Sequence, residues 1–378
     1  MQGSIGRIAA ISRKEFIHIS RDWRMIVAVL IMPLFQLLLF AYAISFDVRN
    51  VPAVVCDADH SMQSRLYVDA ATNSGFFRIV GHVDSNAAVD HAFDRSTARV
   101  AIIIAEGFGS DLAAGRTGHA TVLVDGSEPN SAELGRTYAL ALNNAFGRNV
   151  LATWAASRGV ASAVGALDPR VRVWYNPDRS SADFLVPGLM VVIIMIVTVM
   201  QTAVTLVRER DSGTLEQLLV SPLTQSELIL GKVIPWAILG FTDTVMITAV
   251  SLGIFHVPLR GDVLVLGVGM FLFVLCSLSI GLVISAVAPS IESANMVALL
   301  VSFLPGFMLS GMAYPLASIP WVLRVVSYAF PGRYMVDISR GVFLRGAGWP
   351  ILWWQVAELG IYAVIALGLA TVLNRKRA

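Results

Sequence analysis

Several long stretches of this chain contain no charged residue, and they constrain its fold more than any other feature. About 20 consecutive apolar residues, at a rise of 1.5 Å per residue, cross the hydrocarbon core of a bilayer as one helix. The composition agrees, because 56% of the 378 residues are hydrophobic, only 14% are charged and the mean hydropathy is +0.69. These values exclude an ordinary soluble domain and predict a polytopic α-helical membrane protein.

We predict one transmembrane helix in each of six apolar stretches. They cover residues 25–46, 184–207, 228–255, 261–289, 293–313 and 351–373. Lys and Arg are concentrated before the first span, in residues 7–24, and after the last, in the tail 374–378. The positive-inside rule therefore predicts that both termini are cytoplasmic, and six crossings agree with that. Counting crossings then puts residues 47–183 outside the membrane and 208–227 inside.

The N-terminal residues 1–24 are predicted to form an amphipathic helix in the cytoplasmic interface of the membrane. One side of such a helix carries Ile5, Ile8, Ala9, Ser12, Phe16, Ile19 and Trp23, and the other carries Arg7, Lys14 and Arg21. We expect the basic side to face lipid headgroups. A secretory signal ending at Ala41-Tyr42-Ala43 is the alternative, but the first apolar run exceeds the roughly 7–15 residues of a signal core.

Residues 47–183 are predicted to be an inserted extracytoplasmic α/β domain. Five short β-branched and aromatic runs alternate with polar segments of helical character: VPAVVC, FFRIVGHV, ARVAIIIA, HATVLVDG and VRVWYN. A long helix is predicted from residue 131 to 157. The acidic pairs and histidines of this domain have neither the company of a nucleophile nor metal-ligand spacing. We therefore expect no catalytic, cofactor or metal site in it.

The polar segment 208–227, RERDSGTLEQLLVSPLTQSE, lies between two predicted spans. Thr214 and Gln217 form a capping-box pattern, so a short helix with a leucine face is expected after Gly213. Thr224 and Glu227 form a second capping-box pattern, which predicts the start of the third span. A plain polar hairpin is the alternative, but it does not explain the leucine face.

Three stretches resemble the ABC-2 type permeases, the membrane subunits of ABC exporters. They are RERDSGTLEQLLVSPLTQSELILGKVIPW, NPDRSSADFLVPGLM and SYAFPGRYMVDISRGVFLRG. The resemblance implies a six-helix half-transporter that works as a dimer, with a second copy or a paralogue. It also implies that the segment after the second span is a coupling helix docked on a separate ATPase subunit.

We expect the ATPase contact to combine a leucine face, which would enter a cleft in the ATPase, with flanking charges. The charges would set the register of the helix in that cleft. The predicted contact residues are Arg208, Glu209, Arg210, Asp211, Thr214, Leu215, Glu216, Leu218 and Leu219. The sequence has no GxxxxGK[ST] loop, since its Gly231-Lys232 pair continues to Val233. ATP is therefore expected to be bound by the partner subunit, and this chain is expected to be neither catalytic nor cofactor-binding.

Residues 314–350 are rich in proline and are predicted to form two short helices, SIPWVLRVVSYAF and RYMVDISRGVFL, rather than a crossing. Pro305-Gly306 is expected to interrupt the preceding apolar run. The family resemblance implies that the two helices re-enter the outer surface. Their arginines would then lie at the headgroups, namely Arg324, Arg333, Arg340 and Arg345. An ordinary external loop is the alternative.

Two acids lie deep in apolar stretches, Asp243 and Glu358. Because an ionisable group inside a membrane is unfavourable, it is by default a functional candidate. Asp243 is a possible pathway residue that would contact a cationic substrate or control hydration. For Glu358 we expect a bond to a neighbouring helix or a place near the interface.

The sequence thus predicts the permease subunit of an ATP-driven exporter in a bacterial inner membrane, moving a hydrophobic or amphipathic substrate. Its expected partners are the ATPase, a second permease chain, the bilayer and a periplasmic adaptor, with no nucleic acid. One alternative is an ABC-type mechanotransmitter that works a periplasmic partner without transport. An ion-driven secondary transporter fits less well, since the acids in the spans are scattered and no repeated halves are visible.

Overall fold

The computed structural model describes residues 2–43, 50–127, 129–157, 175, 181–213 and 223–375. The chain divides into two compact units. The membrane unit comprises residues 1–45 and 173–378, and the inserted unit comprises residues 46–172. The predicted fifth strand, VRVWYN, and the predicted helix after Gly213 lie outside the described residues, apart from Tyr175.

The described elements follow one another in an order that matches the alternation of apolar and polar segments. They are α1 (Gln2–Arg21), α2 (Trp23–Ala43), β1 (Val51–Asp57), α3 (Met62–Asn73), β2 (Phe77–His82), α4 (Asn86–Asp94), β3 (Val100–Ile104), α5 (Phe108–Ala113), β4 (Ala120–Val124), α6 (Pro129–Ser157), α7 (Ser181–Ala203), α8 (Thr205–Asp211), α9 (Gln225–Gly253), α10 (Val263–Val287), α11 (Ile291–Met308), α12 (Trp321–Ser327), α13 (Pro331–Arg340) and α14 (Trp349–Arg375).

Six helical segments are long and apolar enough to cross a membrane, which confirms six candidate spans. These segments are α2, α7 continued by α8, α9, α10, α11 and α14. Helix α7 lies at the centre of the membrane unit, because α2, α9, α10, α11 and α13 all pack against it. Its side chains are buried on every side, as a helix without a polar face requires. Helices α2, α11 and α14 instead expose apolar side chains such as Phe35, Leu300 and Val364.

Pro305-Gly306, in the fifth span, was expected to interrupt the helix, but it does not. Helix α11 runs through Pro305 to Met308, and the Leu309 amide donates to the Pro305 carbonyl at 2.8 Å. A proline inside a membrane helix is tolerated because neighbouring groups satisfy the freed backbone. The chain turns only afterwards, at Gly311, whose φ is +82°.

The two short helices predicted after the fifth span are confirmed as α12 and α13, and a π-helical turn, Gly341–Arg345, follows them. Arg340 differs from the expectation that it extends to headgroups. Its guanidinium donates to the carbonyls of Gly311 and Met312, at 2.8 and 2.7 Å, and lies over the Phe184 ring. Burial lowers the pKa of Arg340 to about 10. This arginine therefore satisfies backbone groups left free where the fifth span ends.

The inserted unit is built on a four-stranded sheet in the order β2-β1-β3-β4. Strand β1 runs parallel to β2 and β3, and β4 is antiparallel to β3. Alternate residues of β1 enter two separate cores, with Val55 on the side of α3 and α6 and Val54 on the side of α4. Helices therefore cover both faces of the sheet, as the βαβ connections require.

The long helix predicted in this unit is confirmed as α6. The apolar stripe along it has two different environments. Tyr138, Leu142 and Phe146 pack in the core against α3 and the sheet. Further along the helix, Val150 and Trp154 line an open cavity.

Candidate functional site

The segment that follows the second span is held in one place by several elements. The helix axis breaks at Val204, and α8 continues for two turns to Asp211. Gly213 then adopts a left-handed conformation with φ +70°, and its amide donates to the Arg210 carbonyl at 3.1 Å. Glycine adopts this conformation without steric cost, so Gly213 permits the turn. The remainder of the predicted coupling segment, residues 214–222, lies outside the described residues.

Four of the nine predicted contact residues are described, and their environments differ. Arg208 and Asp211 are exposed at the surface of α8. Glu209 is buried, with 8% of its surface exposed. Arg210 donates to the Ala288 carbonyl at 2.5 Å, at the end of α10. Of these four side chains, Arg208 and Asp211 are thus the exposed ones. The undescribed five are Thr214, Leu215, Glu216, Leu218 and Leu219.

A cluster of four charged residues joins α8 to α1 and α9. Lys232 lies 2.6 Å from Glu209 and 3.5 Å from Glu15, measured from Nζ to the carboxylate oxygen. Lys14 lies 3.1 Å from Glu209 and 3.2 Å from Glu15. The cluster carries two positive and two negative charges and is therefore neutral. We call these four residues the charge cluster.

Burial makes the charge cluster energetically important. Lys232 is 1% exposed, and Glu15 and Glu209 are 6% and 8% exposed, whereas over half of the Lys14 side chain is accessible. Burial alone lowers the pKa of Lys14, but the charges of Glu15 and Glu209 outweigh it and leave the pKa raised. A buried charge deprived of its partner is strongly destabilising, so the cluster requires all its members in place.

A second contact fixes α1 at the beginning of α9. Arg7 donates to both carboxylate oxygens of Glu227, at 2.7 and 3.1 Å, and the Ser4 hydroxyl donates to the same carboxylate. The hydrogen bond to Glu227 raises the pKa of Arg7. Glu227 also completes a capping box with Thr224, which confirms the predicted start of the third span. One carboxylate thus caps α9 and binds α1.

Between these two contacts the backbones of α1 and α9 approach closely. The Ser12 hydroxyl donates to the Gly231 carbonyl at 2.9 Å. A Cβ atom added at Gly231 would lie 2.7 Å from the Cβ and Cγ2 atoms of Ile11. Only a glycine allows this approach, so α1 lies directly on the first turns of α9.

The predicted orientation of α1 is wrong. Arg7 and Lys14 bind acidic residues of α9 and α8, while Ile5 and Phe16 are 68% and 49% exposed. The helical pattern indicated an amphipathic helix but not which side meets the protein. Ion pairing with buried carboxylates is stronger than attraction to hydrated headgroups, because the partners are close and shielded from water.

Sequence reasoning missed Glu15, Glu227 and Lys232 as members of the site. Lys232 gave a signal, since it is a lysine inside an apolar stretch, and an ionisable residue there requires a partner. The partners could not be identified, because Glu209 and Glu15 lie in other helices that are distant from Lys232 in the sequence. Their proximity follows from the tertiary fold alone.

The two acids in the spans have different surroundings. Asp243, in α9, is 3% exposed, and within the described part of the chain neither carboxylate oxygen has a hydrogen-bond partner. Glu358, in α14, is half-buried, and its charge contributes to the raised pKa of Tyr334, for which burial is the larger cause. Of these two acids, Asp243 is thus the one that is buried without a hydrogen-bond partner among the described residues.

Comparison with known proteins agrees with this architecture. The chain is 29% identical to "Probable multidrug ABC transporter permease YbhS" of Escherichia coli, over 98% of this chain and 97% of that one. It is 26% identical to "Probable multidrug ABC transporter permease YbhR", over 92% of both chains, and 28% identical to "Inner membrane transport permease YhhJ", over 84% of both, all from Escherichia coli.

The match to a family profile extends over nearly the whole sequence. Residues 23–372 match the family described as "ABC-2 family transporter protein". The matched range contains all six candidate spans, the inserted unit and the predicted coupling segment. Membership implies a membrane permease that works with an ATPase partner in a dimeric assembly. The chain belongs to the ABC-2 family of transporter proteins.

Proposed function

We propose that this chain is the permease subunit of an ATP-driven exporter in a bacterial inner membrane. Both termini and residues 208–227 are cytoplasmic, and the inserted unit is extracytoplasmic. A separate ATPase docks on residues 208–222 and uses ATP, while this chain binds no cofactor. Two permease chains, identical or paralogous, form the membrane dimer, and a periplasmic adaptor is a further partner.

The anchoring of α8 is the observation that carries the coupling role. Force applied by an ATPase moves membrane helices only if the contact segment is stiff. Helix α8 meets this condition, because the charge cluster binds it to α1 and α9. Two further hydrogen bonds bind it to α10, from the Leu206 amide to Ser285 at 3.1 Å and from Arg210 to Ala288. A push on α8 is therefore delivered to the second, third and fourth spans together.

The four described residues of the predicted contact have two different roles in coupling. Arg208 and Asp211 are exposed, so we assign them to the ATPase contact, together with Thr214, Leu215, Glu216, Leu218 and Leu219. Glu209 and Arg210 hold α8 in position. The substrate is hydrophobic or amphipathic, because the spans expose apolar side chains with little charge, and two relatives are named as multidrug permeases.

The coupling assignment is tested with the ATPase that copurifies with the wild-type permease from its own host. Leu218→Asp or Leu219→Asp places an unpaired charge in an apolar contact, which costs several kcal/mol of docking. Copurification and permease-dependent ATPase activity should both be lost. Leu66→Asp is the matched control, since Leu66 is 50% exposed in the inserted unit. Full retention of both properties by the two coupling variants would refute the assignment.

A mechanotransmitter remains the second candidate function. The inserted unit has its own two cores and is large enough to engage a periplasmic protein. Transport by reconstituted vesicles distinguishes the two. ATP-dependent accumulation of a fluorescent amphipathic cation or anion supports export. Coupled ATPase activity without movement of any amphipathic solute supports mechanotransmission.

A further inference from the structure

The inserted unit contains a cavity of 470 Å³ that none of the functions above uses. This volume is within the range of small-molecule sites, roughly 300–1,000 Å³. The cavity lies between α3, α5, the loop from Gly115 to Gly118, and the C-terminal half of α6. Every described residue that lines it belongs to the inserted unit.

One end of the cavity is aromatic. Tyr67 and Phe146 meet edge to face with centroids 5.0 Å apart, and Phe108 lies 5.9 Å from Tyr67. Trp154, about two helical turns beyond Phe146 in α6, also lines the cavity, together with Val150 and Leu151. Such a lining favours an aromatic ring or a short alkyl chain, which gains contact area and loses water on entry.

Glycines leave the space open. A Cβ atom added at Gly115 would lie 2.9 Å from the Trp154 indole nitrogen, so the loop can approach the tryptophan only with a glycine there. Gly115 also has φ +75°, a conformation that favours glycine. Gly147 is different, since it lines the cavity and an added Cβ would meet no atom within 4 Å. A side chain at position 147 would occupy empty space.

A few polar groups lie beside the apolar lining. The Tyr67 hydroxyl donates to the Asn143 side-chain oxygen. Arg116 is the one charged residue among the described residues of the lining, and its guanidinium pairs with Asp111 at 2.6 Å while remaining mostly exposed. An apolar cavity with one cation at its rim suits a ligand with an apolar body and an anionic end.

We propose that the inserted unit binds a small amphipathic molecule, with its aryl or short alkyl body between Phe146 and Trp154 and its anionic end near Arg116. The site is independent of the coupling role of the membrane unit. It gives the inserted unit a binding activity of its own.

The test uses the full-length permease in phosphatidylcholine nanodiscs and a photoreactive probe, an aryl diazirine carboxylate. After irradiation, peptides containing residues 108–118 and 143–154 are quantified by mass spectrometry. We expect saturable labelling there that excess phenylbutyrate removes. Phenylbutylamine, with the same carbon skeleton and the opposite charge, should compete at least tenfold less well.

Three variants locate the site. Gly147→Leu fills the cavity and should reduce labelling of these peptides at least tenfold. Ala145→Leu makes a similar change on an exposed face of the same helix and should leave labelling unchanged. Arg116→Gln should abolish the preference for phenylbutyrate over phenylbutylamine.

Labelling of transmembrane peptides serves as the internal standard, and circular dichroism verifies the fold of each variant. The proposal is overturned if labelling is not saturable, if Gly147→Leu labels like the wild type, or if both competitors act equally. A second protein occupying the cavity would give the first of these results.

Discussion

Lys232 shows how one residue can organise the end of the membrane unit where α1, α8 and α9 meet. Its side chain is fully buried, and its ammonium group forms ion pairs with two carboxylates from two other helices. The long side chain reaches both acids with one ammonium group, which a shorter residue cannot do. The charge cluster therefore depends on this lysine more than on Lys14, whose side chain is largely accessible to water.

Replacing Lys232 by methionine keeps the length of the side chain and removes its charge. Because two buried carboxylates then lose the buried ammonium group between them, we expect a loss of about 3–5 kcal/mol of stability. Thermal unfolding in detergent measures it. Lys14→Met should have a smaller effect, since this lysine is half exposed.

The double variant Lys232→Met/Glu209→Gln should recover part of the loss, because it removes one of the two buried negative charges that no longer have Lys232 beside them. A coupling of about 0.5–3 kcal/mol between the two positions is expected from the double-mutant cycle. Additive effects of the two substitutions would show that the pair is not an interacting unit.

Asp243 allows a prediction about substrate charge, based on the proposed export function. Because its carboxylate has no partner in the described part of the chain, it is available to a cationic substrate or to water. Asp243→Asn should reduce export of a cationic amphiphile at least tenfold and leave a neutral one within twofold. Vesicle transport with paired fluorescent substrates measures the difference.

Glu358→Gln is the matched control for the Asp243 variant, because it neutralises an acid of another span. It should not change the ratio of cationic to neutral transport. Equal reduction of both substrates by Asp243→Asn would mean that the acid is structural and does not select charge.

At the level of elements, the contact between α1 and α9 is the least expected feature of the fold. Helix propensity and amphipathic pattern predict α1, and a capping box predicts the start of α9. Neither shows that the two helices touch. The sequence signal for the contact is Gly231, a small residue where two backbones meet. Glycine is frequent in membrane helices, however, so its presence in an apolar stretch does not by itself identify a contact.

Gly231→Ala tests this contact. The added Cβ would lie 2.7 Å from Ile11 atoms, so α1 must shift, at a cost of about 1–3 kcal/mol. We expect faster amide hydrogen exchange in residues 2–21, measured by mass spectrometry. Gly253→Ala, on the same helix with no atom within 4 Å of the new Cβ, should leave the exchange of α1 unchanged. Equal exchange in both variants would refute the direct contact.

Much of the element order could be predicted from the sequence, for identifiable reasons. Charge-free runs indicate the spans, because burying charge in a bilayer is unfavourable, and β-branched runs between turn residues indicate β1 to β4. The charge cluster could not be predicted. It joins residues from three helices, and each of its charges, taken alone, also fits a solvated surface. Asp243 was identified from the same physical rule that indicates the spans.

At the level of the whole molecule, the proposed orientation can be tested directly. Single cysteines at positions 213, 59 and 127 are introduced after Cys56 and Cys276, both buried, are replaced by alanine. In intact spheroplasts an impermeant maleimide should label positions 59 and 127 only. Position 213 should react after the membrane is opened. Labelling of position 213 from outside would invert the entire topology.

The ion pairs that join α1 to α8 and α9 also have a consequence for biosynthesis. Arg7 pairs with a carboxylate 220 residues later in the chain, and Lys14 with one 195 residues later. At about 5–20 residues per second, a ribosome needs roughly 10–40 s to reach those acids. During that interval Arg7 lacks Glu227 and Lys14 lacks Glu209, while the nascent N-terminal helix lies beside a newly inserted first span. Anionic phospholipids can hold it there until the third span arrives and exchanges lipid for protein partners.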